Sequence, residues 1–275
     1  MKLGLHCGCI MNTNVVTDLR IANETGYDAA ELWIQKLRRY FDVGYTAEDL
    51  KPHIGNVEVT MLNCVLSVES QDPEFRKALC DDMRMLAKAA KVLDCSTIQL
   101  IVLSELDGMS WKEMKPKLVE SFKELADLVG EYGVRLSMEP VVFSDFKHLS
   151  QALEVIEACD RDNIGLVVDT WHVWTSEEPW SVVEGIDPKL IYSAHISDTN
   201  PMQGEHWHDD DRTALPGDGI LPLEEGAAAI VKTGYQGVWS VEMLSHEHWE
   251  WDPMVLAVDL KERTERLLNK VMAQA

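Results

Sequence analysis

Residues 163–172 read NIGLVVDTWH, an apolar run from Ile164 to Val168 opened by Asn163 and closed by Asp169. Short runs of this kind, rich in Val, Ile and Leu and bounded by Gly, Asp or Asn, are the signature of strands buried on both faces of a parallel sheet. The same signature recurs on either side of it. Towards the C-terminus stand LIYSAHIS (190–197) and GVWSVEML (237–244). Towards the N-terminus stand GVRLSMEPVV (133–142), TIQLIVL (97–103), VEVTMLNCVL (57–66), AAELWI (29–34) and LGLHC (3–7). Amphipathic stretches separate these runs. From Asp72 to Leu93, apolar residues recur at Phe75, Leu79, Met83, Leu86, Ala90 and Leu93, a helical period. Trp111–Leu128 and Met254–Val271 behave alike, and a short helix is expected with Ser150 as its N-cap. Eight strands, seven or eight helices and no Pro/Gly/Ser-rich linker predict an α/β protein with one domain over residues 1–275, a closed (β/α)8 TIM barrel. A doubly wound open sheet fits less well, because no Gly-rich phosphate loop follows the first strand.

Composition narrows the function. The formal net charge is −22 over 275 residues, which argues against a nucleic-acid partner, since phosphate binding needs a basic face. No window reaches the ~18 apolar residues of a membrane span, and the opening MKLGLHCGCIMNTN lacks the long apolar stretch of a signal peptide. None of the six cysteines forms a C-x-x-C pair, and Cys7 and Cys9 should face opposite sides of a strand. A reduced, cytoplasmic protein is expected. A homo-oligomer and a small partner subunit are both compatible with the sequence.

In a barrel, polar groups at the C-terminal strand ends converge on one face. The last four runs end in Glu139, Asp169, His195 and Glu242, one per βα unit. Any one alone reads as an ordinary loop-face residue. Four on consecutive strands would bury much negative charge unless a cation offset it. Three carboxylates and one imidazole suit a single divalent ion, Mn²⁺ first and Mg²⁺, Co²⁺ or Zn²⁺ as alternatives.

Further candidates surround the quartet. His172 follows Asp169 by three residues, where it can meet a substrate hydroxyl. Arg212 sits among Asp209, Asp210 and Asp211, suited either to substrate oxygens or to those carboxylates. His148, between the fifth run and the expected Ser150 helix, is a candidate general base, with Glu139 and Glu242 the other acid/base candidates. His6, Asn63 and Gln99 fall on strands as candidate substrate contacts, and Glu31 is a weaker one. Asp198, in HISD, is placed to hold His195 or bind substrate. Seven of nine Trp fall between residues 171 and 251, and Trp171 heads those expected to stack on a sugar face. The H-x-H of His206 and His208 reads as a solvated loop before a second metal site.

The blocks RDNIGLVVDTWH (161–172), AHISDT (194–199), DDDRTALPGDG (209–219) and GYQGVWSVEM (234–243) resemble the xylose isomerase-like sugar isomerase and epimerase barrels, nearest the inosose isomerase branch. The resemblance implies that Glu139, Asp169, His195 and Glu242 bind one divalent metal and that His172 and Arg212 line the substrate pocket. It implies an isomerase or epimerase of a neutral cyclic keto-sugar or keto-cyclitol, working by α-proton abstraction through an enediolate held at the metal. Elimination from a 3-keto glycoside, or dehydration of 3-dehydroshikimate, would use the same ligands as a lyase reaction. An endonuclease IV-like nuclease is opposed by the acidic charge, and a non-catalytic sugar-binding barrel by the intact quartet.

Overall fold

A computed structural model describes residues 1–274. Eight parallel strands close on themselves in chain order: β1 (Lys2–His6), β2 (Ala29–Trp33), β3 (Glu58–Leu66), β4 (Thr97–Ile101), β5 (Arg135–Met138), β6 (Ile164–Asp169), β7 (Ile191–Ile196) and β8 (Val238–Val241). The helices are α1 (Val15–Glu24), α2 (Ile34–Asp42), α3 (Ala47–Leu50), α4 (Pro73–Val92), α5 (Trp111–Gly130), α6 (Leu149–Cys159), α7 (Thr170–Thr175), α8 (Trp180–Glu184), α9 (Leu223–Lys232) and α10 (Pro253–Met272). The expected helices at Asp72, Trp111 and Met254 correspond to α4, α5 and α10. Their first turns carry the proper chemistry: Asp72 accepts from the Phe75 amide ahead of Pro73, and Asp252 from the Met254 amide ahead of Pro253.

Two expectations are corrected. The sixth helix starts at Leu149 rather than after Ser150, with His148 at the N-cap position. The Glu178 carboxylate accepts from the Leu149 and Ser150 amides, so a distant side chain does the work expected of Ser150. Cys7 and Cys9 do not alternate on a strand, because β1 ends at His6 and both lie in the following turn, buried. All six thiols are free and buried.

Strand periodicity explains what reaches the barrel axis. Alternate residues point inwards, so Gly4 and His6 of β1, Ala29, Glu31 and Trp33 of β2, and Thr97, Gln99 and Ile101 of β4 share the interior. Ser137 and then Glu139, Val167 and Asp169, Ser193 and His195, and Ser240 and then Glu242 continue it from β5 to β8. The outward set, including Leu3, Leu5, Leu32, Leu100 and Val168, packs into the main core between the strands and the helices. Barrel interiors are commonly filled by branched apolar side chains. Here small and polar residues leave room for Glu31, and a Cβ on Gly4 would come within 2.5 Å of Ser240 Oγ.

Candidate active site and metal centre

Glu139 directly follows β5, Asp169 ends β6, His195 is the penultimate residue of β7 and Glu242 directly follows β8. Backbone bonds from the Glu139 amide to the Leu100 carbonyl and from the Glu242 amide to the Ile196 carbonyl extend the ladders through these residues. The side chains therefore project from ordered backbone. Each of the four offers one ligand atom, and those atoms lie within 4.8 Å of one another, all in buried residues. It is the one such grouping among the described residues, and His206 and His208 are exposed outside it.

His195 is held from behind. Its Nε2 lies 2.9 Å from Glu31 Oε2, while its Nδ1 faces Glu242 Oε2 at 2.9 Å and Glu139 Oε1 at 3.5 Å. The second Glu31 oxygen accepts from Ser193 Oγ at 2.6 Å and Ser240 Oγ at 2.5 Å, and Asn63 Nδ2 donates to Oε2 at 3.0 Å. Glu31 thus accepts from three strands besides its own and leaves Nδ1 as the outward ligand atom. Gln99 does the same for Glu139, donating to Oε2 at 2.8 Å. Asp169 Oδ1 accepts from the Trp171 and His172 amides, and Oδ2 accepts from Ser197 Oγ. Sequence reasoning underrated Glu31; its signal was a carboxylate inside an otherwise apolar strand.

The charge is unbalanced towards the negative. Burial, then the neighbouring Glu242 and Asp169, push the Glu139 carboxyl up to about 7 despite its contact with His195. Burial also raises Asp169 against the pull of Arg212. Burial opposes the charge of Glu31 as well, but the His195 ring outweighs it and holds that carboxyl at about 2. Arg212, itself buried, reaches Glu242 at 3.2 Å, Asp169 at 3.5 Å and Asp209 at 3.1 Å, and its guanidinium carbon lies 5.2 Å above the Trp171 ring. Glu139 Oε1 is buried with no hydrogen-bond partner. A clustered, partly uncompensated carboxylate set with an outward imidazole nitrogen fits a divalent cation.

Above the quartet lies a cavity of about 420 Å³. Of the sequence candidates, Gln99, Glu139, His172, Arg212 and Glu242 line it. The His172 Nδ1 accepts from the Val142 amide at 3.2 Å, and burial followed by the charge of Arg212 drives its pKa well below the ordinary value, so the ring is neutral with Nε2 as donor.

Other candidates are placed elsewhere. His148 does not line the cavity: Gln151 Oε1 accepts from its amide at the start of α6. Asp198 is committed to backbone, accepting from the amides of Gly217, Gly219 and Leu221, so it neither holds His195 nor faces the cavity. Trp171 is fully buried beneath Arg212 and His172 rather than open to a sugar. His6 and Asn63 lie just behind the cavity lining; His6 Nε2 is 3.6 Å from Glu242 and Asn63 bonds Glu31. Of the clustered indoles only Trp249 lines the cavity, joined by Trp33, which sequence reasoning missed although it ends β2 on the inward register.

Fold and site together define a (β/α)8 barrel with four clustered side chains at its strand ends that could hold a metal ion. The chain belongs to the xylose isomerase-like TIM barrel family, whose model matches residues 19–266. It is 26% identical over 264 residues to an inosose isomerase of Halalkalibacterium halodurans, spanning 94% of this chain and 93% of that protein. It is 23% identical over 269 residues to a fructoselysine 3-epimerase of Escherichia coli O157:H7, spanning 89% and 91%. A crystal structure of the IolI protein with a binding zinc atom shares the fold, with a TM-score of 0.92 at 24% identity and coverage of 98% and 99%. No helix among the described residues is long and apolar enough to cross a membrane.

Proposed function

We propose that this chain is a divalent-metal-dependent isomerase or epimerase that moves a proton α to the carbonyl of a neutral cyclic keto-sugar or keto-cyclitol. The observation that carries the reading is the quartet, four ligand atoms within 4.8 Å, opening into a cavity that also holds His172 and Arg212. The resemblance to an inosose isomerase and to a fructoselysine 3-epimerase supports it. Glu139, Asp169, His195 and Glu242 would hold a divalent cation, Mn²⁺ first by donor set, which would supply Lewis-acid polarisation of the carbonyl.

The chain's own residues handle the proton. The Glu139 carboxylate, fixed by Gln99, takes the α-proton as the electron pair moves onto the carbonyl oxygen. The neutral His172 donates to that oxygen from Nε2, and Arg212 offsets the negative charge that develops. Return of the proton by Glu139 to the former carbonyl carbon, with the proton of the adjacent hydroxyl passing to the former carbonyl oxygen, gives isomerisation. For epimerisation Glu139 keeps that proton, and Glu242, three strands further round the barrel, takes up one from solvent and delivers it to the opposite face of the same carbon. Asp209 and Asp210 on the cavity wall disfavour a phosphorylated substrate. The six buried free thiols support a reducing, cytoplasmic setting.

The test is solvent deuterium incorporation into 2-keto-myo-inositol followed by NMR, with metal analysis of the same preparation. Exchange at the α-carbon and roughly one ion per chain are expected, with exchange lost in Glu139→Gln. A metal-replete protein that exchanges no α-proton on any keto-sugar or keto-cyclitol overturns the reading.

A further inference from the structure

The cavity is divided. Its polar lining comes from the β5–β8 side, where Leu244 and Trp249 also stand with Met11 beyond them; Gln99 is the one polar exception elsewhere, and that side chain is bonded to Glu139. The β2–β5 side is apolar: Trp33, Leu66, Ile101, Leu103, Val141 and Phe143. Within that wall, Ile101 and Val141 join Cys64 in a small hydrophobic cluster separate from the main core, with Trp33 and Leu103 packed against it. At its rim Leu66 and Phe143 remain 40% and 36% exposed, large apolar side chains facing open space beside a candidate catalytic centre.

A free keto-cyclitol carries hydroxyls around its whole ring. Pressed against this wall, half of them would lose water and find no partner, at a cost of one unsatisfied polar group each. A single six-membered ring also fills only part of 420 Å³. We infer that the β2–β5 wall is a subsite for an apolar, ring-sized substituent on the substrate, so that the preferred substrate is an aryl-substituted keto-sugar rather than the bare ring. The reacting carbons lie against Glu139 and Glu242, and the aryl group lies between Trp33 and the Leu66–Phe143 rim. This inference rests on the function proposed above for the orientation of the substrate, but the subsite itself is a property of the wall.

Two measurements separate the two. First, calorimetry on the Mn²⁺-loaded protein compares two unreactive probes, phenyl β-D-glucoside and methyl β-D-glucoside. Burying the phenyl ring should tighten binding about ten- to hundredfold. Leu66→Asn and Phe143→Asn, both at partly exposed positions, should each shrink that advantage. Equal affinities, no binding of the phenyl compound at millimolar concentration, or an advantage untouched by both variants overturns the subsite. Second, α-proton exchange is followed on the methyl and phenyl 3-keto-β-D-glucosides. Exchange on both with equal kcat/KM overturns the substrate preference and leaves the chemistry standing. Tight phenyl binding with no exchange on either ketone overturns the chemistry and leaves the subsite standing.

Discussion

Glu31 Oε2 lies 2.9 Å from His195 Nε2, and both side chains are completely withdrawn from solvent. The contact fixes which imidazole nitrogen is turned towards Glu139 and Glu242, so a residue of β2 orients a side chain of β7. Carboxylates that back a metal-binding histidine set its ring angle and tautomer. Glu31→Gln is expected to weaken Mn²⁺ binding by about 10- to 100-fold. Titration calorimetry checks this, with circular dichroism confirming that the barrel is retained. Unchanged affinity would show that the negative charge of Glu31 is not what orients the His195 ring.

Stability should depend on pH through groups whose charge the fold has altered. Glu31 sits at about 2 in the folded chain against an ordinary 4.5, so its contribution is complete above 4.5 and lost as the pH falls towards 2. His172, lowered from 6.5 by burial and Arg212, is neutral when folded, so the unfolded chain takes up more protons below 6.5 and stability again falls with pH. Glu139, raised to about 7 by burial and its carboxylate neighbours, acts in the opposite sense between pH 7 and 4.5, so each contribution is read as a difference between variant and parent in urea unfolding of chelator-treated protein. Relative to the parent, His172→Gln should gain stability as the pH falls below 6.5, and Glu31→Gln should lose its deficit as the pH falls from 4.5 towards 2.

Asp198 joins the end of β7 to the turn at residues 216–219, accepting three backbone bonds from Gly217, Gly219 and Leu221. Asp198→Ala leaves those amides without their acceptor. A loss of about 2–4 kcal/mol is expected, measured by urea unfolding. Asp198→Asn, which keeps one acceptor oxygen, should lose less.

Histidine roles are separable by isotope exchange. His148 stands at the start of α6 outside the cavity, whereas His172 lines it. His148→Asn should keep α-proton exchange within about twofold, an outcome expected for a residue away from the reacting atoms. His172→Ala should lower kcat by roughly 100-fold through loss of one donor to the oxyanion. A His148→Asn enzyme without exchange would restore it as the base.

Arg212 bonds Glu242 and Asp209 through a two-nitrogen fork and lies over Trp171. A lysine keeps the charge but cannot reproduce that geometry. Arg212→Lys is expected to lower kcat/KM by roughly 10²-fold, measured on the same ketone, with metal content retained.

The strands were legible because each is a short apolar run covered on both faces, and the quartet because acidic or imidazole groups close four runs in succession. Trp33, Ile101 and Val141 were not legible as a cavity wall, since an apolar residue at a strand end looks the same whether it meets a helix or a cavity. Asp198 and Trp171 misled for the opposite reason: adjacency in sequence to ligands suggested contact with substrate, while their side chains turn to backbone amides and to Arg212. Ser150 failed as a cap because Glu178, remote in sequence, reaches the same amides.

By itself the sequence determined the order of strands and helices, the charge of −22 and the identity of the four acidic and imidazole groups that cluster at the strand ends, because these depend on local periodicity and on residue type. Only the tertiary structure decided that Glu31 backs His195 and that Arg212 lies among the carboxylates. It alone gave the cavity an unbroken apolar wall from Trp33 to Phe143 facing the side that carries the acidic and basic groups. Each of these is a contact between strands or loops far apart in the chain, and barrel closure brings them together.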